Sequence, residues 1–171
     1  HVKILLGTCC LVWAVSDPQQ LSQAAAAALQ ADDTLVSVSA ICCAEVACLA
    51  DRGRIRLDRH WRAWFREVVR LNGWDVHDVD LQVVEEAFSL PGEFHRDPAD
   101  RLLVAAARLG QYTILTADRK ILDYLAVIGF YKLPLDYLDT WVDRVNAVDV
   151  ATVKQAFARR IDPNQLVTVV V

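Results

Sequence analysis

A layered α/β fold, with helices packed on both faces of a parallel sheet, is expected from two observations. Short apolar runs at residues 2–6, 34–38 and 112–115 read as buried strands. Segments with helical character stand between them, and a parallel strand pair needs such a crossover connection. The chain has 171 residues, of which 54% are hydrophobic and 23% charged. That suits one domain of ordinary size with a substantial core, extended by a smaller appendage.

The elements are expected in this order. Val2 to Leu6 forms a buried strand. Ser16-Asp17-Pro18 is a helix-entry signal, and the Ala24–Ala28 run behind it is a strong helix former. Thr34 to Val38 is the second strand, after which Ser39 caps a helix that carries Glu45 and stops near Gly53. Leu57 to Leu71 is amphipathic at helical period, with Trp61, Trp64, Phe65, Val68 and Val69 on one side and Arg59, Arg62, Arg66 and Arg70 on the other. Asp75 to Asp80 alternates weakly, and Leu81 to Phe88 is a helix closed by Leu90-Pro91-Gly92. Asp97-Pro98 opens a helix over Asp100 to Leu109, stopped by Gly110. Tyr112 to Leu115 is a further strand, leading to Asp118 and a short helix. These elements make up a first unit, residues 1–124. Residues 125–171 differ in character: two helical stripes (Leu135, Leu138, Val142, Val145, then Val150, Val153, Phe157) precede an apolar strand at Leu166 to Val171.

Bulk properties narrow the function. A net charge of −4 argues against a bulk polyanion binder and leaves room for a local basic stripe. No apolar run approaches the ~20 residues of a membrane span, and no signal-peptide pattern is present. The five cysteines, Cys9, Cys10, Cys42, Cys43 and Cys48, include no C-x-x-C pair and sit in apolar context, so buried reduced thiols in a cytoplasmic protein are expected. The chain has no methionine and begins at His1, so it is not expected to be a complete reading frame.

Four acids carry the chemistry. Glu45 shares a helical face with Ile41, Cys48 and Leu49, and Asp100 shares one with Leu103, Val104 and Ala107. Asp97 lies at a helix start, where a cap is its simplest role. Asp118 follows the 112–115 strand, at the edge where open α/β sheets collect ligands. Singly, each acid is explained by a cap or a surface ion pair. As a set they suggest a divalent cation, since buried carboxylates need compensation and oxygen-only ligands select Mg²⁺ or Mn²⁺ over zinc. Gly7, at the end of the first strand, stands where one more carboxylate would complete such a site. The Thr8 hydroxyl has two readings, orienting a water or making a hydrogen bond at the strand end. The arginine stripe likewise reads as a solvated face or as a grip on phosphates.

The segments Ile4 to Ala14, Val38 to Ala47, Arg52-Gly53-Arg54-Ile55, His95 to Leu102 and Leu115 to Leu122, in this order and spacing, resemble a PIN domain of the VapC type over residues 2 to about 124. The resemblance implies an α/β/α sandwich and a Mg²⁺- or Mn²⁺-dependent endoribonuclease, the toxin of a toxin–antitoxin pair. It further implies structured RNA as substrate, an antitoxin protein as partner and a homodimer. The family's acids map onto Glu45, Asp100 and Asp118 as catalytic and metal-binding residues, with Asp97 in support at the metal. Its first-strand aspartate maps onto Gly7, its frequent histidine onto Cys9 and a common tryptophan onto Ala44. The Gly7 departure bears on catalysis rather than fold, and the alternative it raises is a non-catalytic PIN-fold protein that binds antitoxin or RNA without cleaving. From about Ile121, residues such as Gly129-Phe130-Tyr131-Lys132-Leu133-Pro134 and Ile161-Asp162-Pro163-Asn164 resemble instead the C-terminal end of a pitrilysin-type peptidase domain. This tail lacks H-x-x-E-H and so implies no peptidase chemistry.

Overall fold

The computed structural model describes residues 1–90, 96–123, 143 and 145–160. Four parallel strands, β1 (Val2–Leu6), β2 (Thr34–Ser39), β3 (Asp75–His77) and β4 (Thr113–Leu115), form one sheet in the order β3-β2-β1-β4. Ile4, Leu5 and Leu6 are buried in succession along β1, as expected of a central parallel strand covered on both faces. The sheet and the helices that flank it confirm the α/β architecture.

The helices include α1 (Thr8–Ser16), α2 (Gln23–Gln30), α3 (Ala40–Asp51), α4 (Trp61–Asn72), α5 (Leu81–Phe88) and α6 (Pro98–Gly110), with a 3₁₀ turn at Pro18–Gln20. Side-chain caps set most of their starts, α1 behind Gly7 being the exception. Ser22 accepts from the Ala25 amide, Ser39 from Ile41, Asp80 from Val83 and Asp97 from Ala99. Each cap satisfies an amide that has no partner inside its helix. Trp64, Phe65 and Val68 of α4 are buried, while Arg62, Arg66 and Arg70 remain exposed. All five cysteines are free thiols, with Cys10 and Cys42 buried and Cys9 and Cys48 exposed.

Three expectations about helices need correction. Helix α4 starts at Trp61 rather than Leu57, because the His60 ring accepts from the Arg62 amide and caps it there. Arg59 therefore lies outside the helix, paired with Asp58 at 2.7 Å and Glu67 at 2.5 Å. Helix α1 carries no element in the sequence reading, for its largely apolar residues offer no polar face to mark a period. Gly110 is the last residue of α6 rather than its stop; a Cβ there would meet the Tyr112 ring. The left-handed C-cap falls on Gln111, at φ 55°. Since a non-glycine residue in that region is strained by about 1 kcal/mol, Gln111→Gly should raise unfolding stability by about that amount in urea titration.

In the C-terminal segment a helix, α7 (Val150–Arg160), is present with Val150 and Val153 exposed. The expected strand at residues 166–171 and Leu135, Leu138 and Val142 of the first stripe lie outside the described residues. No helix among the described residues is long and apolar enough to cross a membrane.

Candidate functional site

The strand order reverses between β1 and β4. The chain proceeds from β1 outward to β2 and β3, then returns to place β4 on the opposite side of β1. Loops leaving the carboxyl ends of β1 and β4 therefore diverge, the arrangement that opens a crevice in such sheets. Gly7 follows β1 and Thr116 to Asp118 follow β4. Helix α3, which carries Glu45, leaves the carboxyl end of β2. Helix α6 runs back toward β4, so its first turn, with Asp97 and Asp100, lies toward the same edge.

Local contacts fix these groups. The Gly7 amide donates to the Leu115 carbonyl at 2.9 Å and its own carbonyl accepts from Leu11 at 2.9 Å. Gly7 has φ −73° and ψ 156°, an extended conformation open to any residue. The Thr8 side chain, 8% exposed, donates from Oγ1 to Glu45 Oε2 at 2.5 Å. Thr116 Oγ1 accepts from the Asp118 amide at 3.0 Å, and Asp118 Oδ1 accepts from the Lys120 amide at 2.8 Å, starting the helical residues 119–123. Helix α6 is held to α5 by Arg108 Nε on Glu86 Oε1 at 2.6 Å and by Arg101 Nη1 on the Ala87 carbonyl at 3.2 Å.

The acids act on one another. Burial pushes the Asp100 carboxyl up from 3.8 to about 6, with Asp118, Asp97 and Glu45 adding to the rise and Lys120 opposing it. Glu45 is raised by burial, then lowered by the Thr8 hydrogen bond, and raised again by Asp97 and Asp118. The Cys9 thiol is raised by burial and by Glu45, Asp118 and Asp100. Two helices and the β4 loop thus contribute to a single negative field, which the Cys9 thiol at the start of α1 feels.

Oxygen-only donors in a shared negative field suit a hard divalent cation, which would relieve the repulsion. Their spacing is looser: among the described residues, no three His, Cys, Asp or Glu side chains stand together as a ready ligand set. Asp97 and Asp118 also serve as helix caps, the simpler role that Asp97's position at a helix start suggested. The basic stripe is exposed, and two of its members, Arg59 and Arg70, pair with Glu67. A cleft of about 400 Å³ between α1 and α4, lined by Val15, Leu57, Trp64 and Val68 among others, includes none of the four acids. The tie from Thr8 to Glu45 went unforeseen. It joins residues far apart in sequence, and no spacing rule announces such a pair.

Comparison with known proteins bears on the fold and the family. Residues 4–126 match the PIN domain family model. Over 121 residues the chain is 35% identical to ribonuclease VapC22 of Mycobacterium tuberculosis, covering 69% of this chain and 88% of that relative. The fold is similar to a chain in the crystal structure of VapBC2 from Rickettsia felis bound to a DNA fragment from their promoter. The TM-score is 0.54 at 17% identity, with 72% of this chain and 92% of that chain covered. The family match takes in β1 from Ile4 onward, β2 to β4 and all four acids. This chain belongs to the PIN domain family, related to the VapC ribonucleases.

Proposed function

We propose that this chain is a metal-dependent endoribonuclease, the toxin of a toxin–antitoxin pair, whose activity is impaired by Gly7. The observation that carries this reading is the shared field at the carboxyl edge of the sheet, where burial and neighbouring acids raise both Glu45 and Asp100. Glu45, Asp100 and Asp118, supported by Asp97, would hold Mg²⁺ or Mn²⁺. Bound there, the cation supplies Lewis acidity for phosphodiester hydrolysis. The chain's own contribution is to orient the carboxylates: Thr8 holds Glu45, Thr116 holds the backbone of Asp118, and the α5–α6 contacts fix the first turn of α6.

Structured RNA is the proposed substrate, with Arg62 and Arg66 available to its phosphates. An antitoxin and a second copy of the chain are the proposed protein partners. Leu81, Val84 and Phe88 form an exposed apolar stripe on α5, a kind of surface that protein contacts cover. The cytoplasm is the proposed compartment, in keeping with five unpaired thiols.

A second reading is favoured by Gly7 alone: a PIN-fold protein that binds antitoxin or RNA without cutting. Cleavage of a structured RNA mixture with Mg²⁺, with Mn²⁺ and with chelator separates the two. The nuclease reading expects slow, chelator-sensitive cleavage that Glu45→Gln removes. Cleavage that survives both chelator and Glu45→Gln would point to a contaminant. RNA binding without any cleavage would favour the second reading.

A further inference from the structure

We propose that Thr8 is a positioning residue, whose buried hydroxyl anchors the Glu45 carboxylate for cation binding; this rests on the metal-dependent reading above. Thr8 is the first residue of α1, directly behind Gly7. The Gly7 amide and carbonyl are both bound, to Leu115 and Leu11 at 2.9 Å each, so the backbone that aims Thr8 is fixed by β4 on one side and by α1 on the other. Thr8 as a whole is 8% exposed, and its hydroxyl donates to Glu45 Oε2 at 2.5 Å. A hydroxyl donating to a carboxylate makes a short, charge-assisted bond. The neighbouring Cys42 thiol donates to the Leu6 carbonyl at 3.4 Å and also lies beside the Thr8 hydroxyl and Glu45.

Glutamate has three side-chain torsions to restrict before it can serve as a ligand. Tying one of its oxygens to Thr8 removes most of that freedom before any cation arrives, as partners of metal ligands commonly do. Gly7 has no side chain to share the task, so the turn between β1 and α1 grips Glu45 through Thr8. The hydroxyl is needed for its proton, and neither the methyl group nor the volume of threonine substitutes for it.

The test compares the full chain with Thr8→Val, which keeps the shape and loses the donor, and Thr8→Ser, which keeps the donor. Mn²⁺ affinity is read from the spin-resonance signal of free Mn²⁺, with thermal unfolding as a check on the fold. Thr8→Val is expected to weaken Mn²⁺ binding by roughly tenfold or more, with Thr8→Ser returning it toward the parent. Equal affinity in parent and Thr8→Val overturns the role while leaving the metal reading intact. A Thr8→Ser variant as weak as Thr8→Val also overturns it, since the hydroxyl would not be what matters. A parent that binds no Mn²⁺ overturns the metal reading, and the role falls with it. Should Thr8→Val not fold, Thr8→Ala against Thr8→Ser makes the same comparison.

Discussion

Gly7→Asp should strengthen Mn²⁺ binding and accelerate RNA cleavage together, each on the order of tenfold to a hundredfold. The backbone permits the change, since φ −73° and ψ 156° at Gly7 are ordinary for aspartate. The position also caps α1, where an acid is favoured both as a hydrogen-bond acceptor and by the helix dipole. Space is the narrower condition. A Cβ at Gly7 would stand 3.1 Å from Thr116 Oγ1 and 3.3 Å from Thr116 Cβ, so Thr116 must yield by a few tenths of an ångström. The added carboxylate would deepen the negative field that already raises Glu45 and Asp100. Without metal the variant therefore gains little stability from its better cap. With Mn²⁺ it gains more than the parent does, because the cation binds only the folded site. Calorimetric Mn²⁺ titration and cleavage rates, for parent and variant, make the comparison. A folded variant with unchanged affinity and unchanged rate would show that the glycine is not what limits this site.

Asp100→Asn is expected to pull stability and activity in opposite directions. The carboxyl of Asp100 stands at about 6 in the folded protein, against an ordinary value of 3.8. The folded chain thus holds this proton more tightly than the unfolded chain does. Its stabilising contribution is complete below pH ~4 and is lost as pH rises through about 6, so that at neutral pH the ionised group works against the fold. Asparagine removes that charge. Since Asp100 is half-exposed and solvent screens it, the gain at pH 7 is about 1 kcal/mol, well below what the shift would imply for a sealed group. Urea unfolding in chelator, at pH 4 and at pH 7, should show the variant gaining only at the higher pH. The same substitution should cut RNA cleavage by about a hundredfold or more if Asp100 helps to hold the cation. A variant that is less stable at pH 7 and fully active would contradict both halves.

Local signals were legible in the sequence wherever one residue type has one strong use. Leu81–Phe88 was bounded correctly from its stripe and the turn residues expected after it; the structure adds the cap at Asp80. Strands β1, β2 and β4 were legible as short apolar runs, whereas the edge strand β3, Asp75–His77, is short and largely exposed and left only a weak alternation. The start of α4 was placed too early: Leu57 fits the helical stripe, yet the cap at His60 decides where the helix begins. Gly110 misled for a related reason, because glycine serves both left-handed caps and close contacts, and here the Tyr112 ring uses the contact. At the site, sequence pattern picked out the four acids and the gap at Gly7. It could not assign Thr8 its partner, since Glu45 reaches it only through the packing of α1 beside α3.

The strand order also governs when the site can exist. Leu5 pairs with Ile114, so the innermost strand of the sheet waits for a partner more than a hundred residues downstream. Bringing such distant ends together costs loop entropy before any contact returns it, and pairings of this range form slowly. During synthesis, β1, β2 and the helix bearing Glu45 emerge early, but the crevice closes only when β4 and Asp118 have left the ribosome. A nascent or truncated chain ending before that point has Glu45, Asp97 and Asp100 on its helices but neither β4 nor Asp118. On the nuclease reading proposed above, the cation site would be complete only once Asp118 has joined Glu45 and Asp100, so a chain released before β4 docks would lack it.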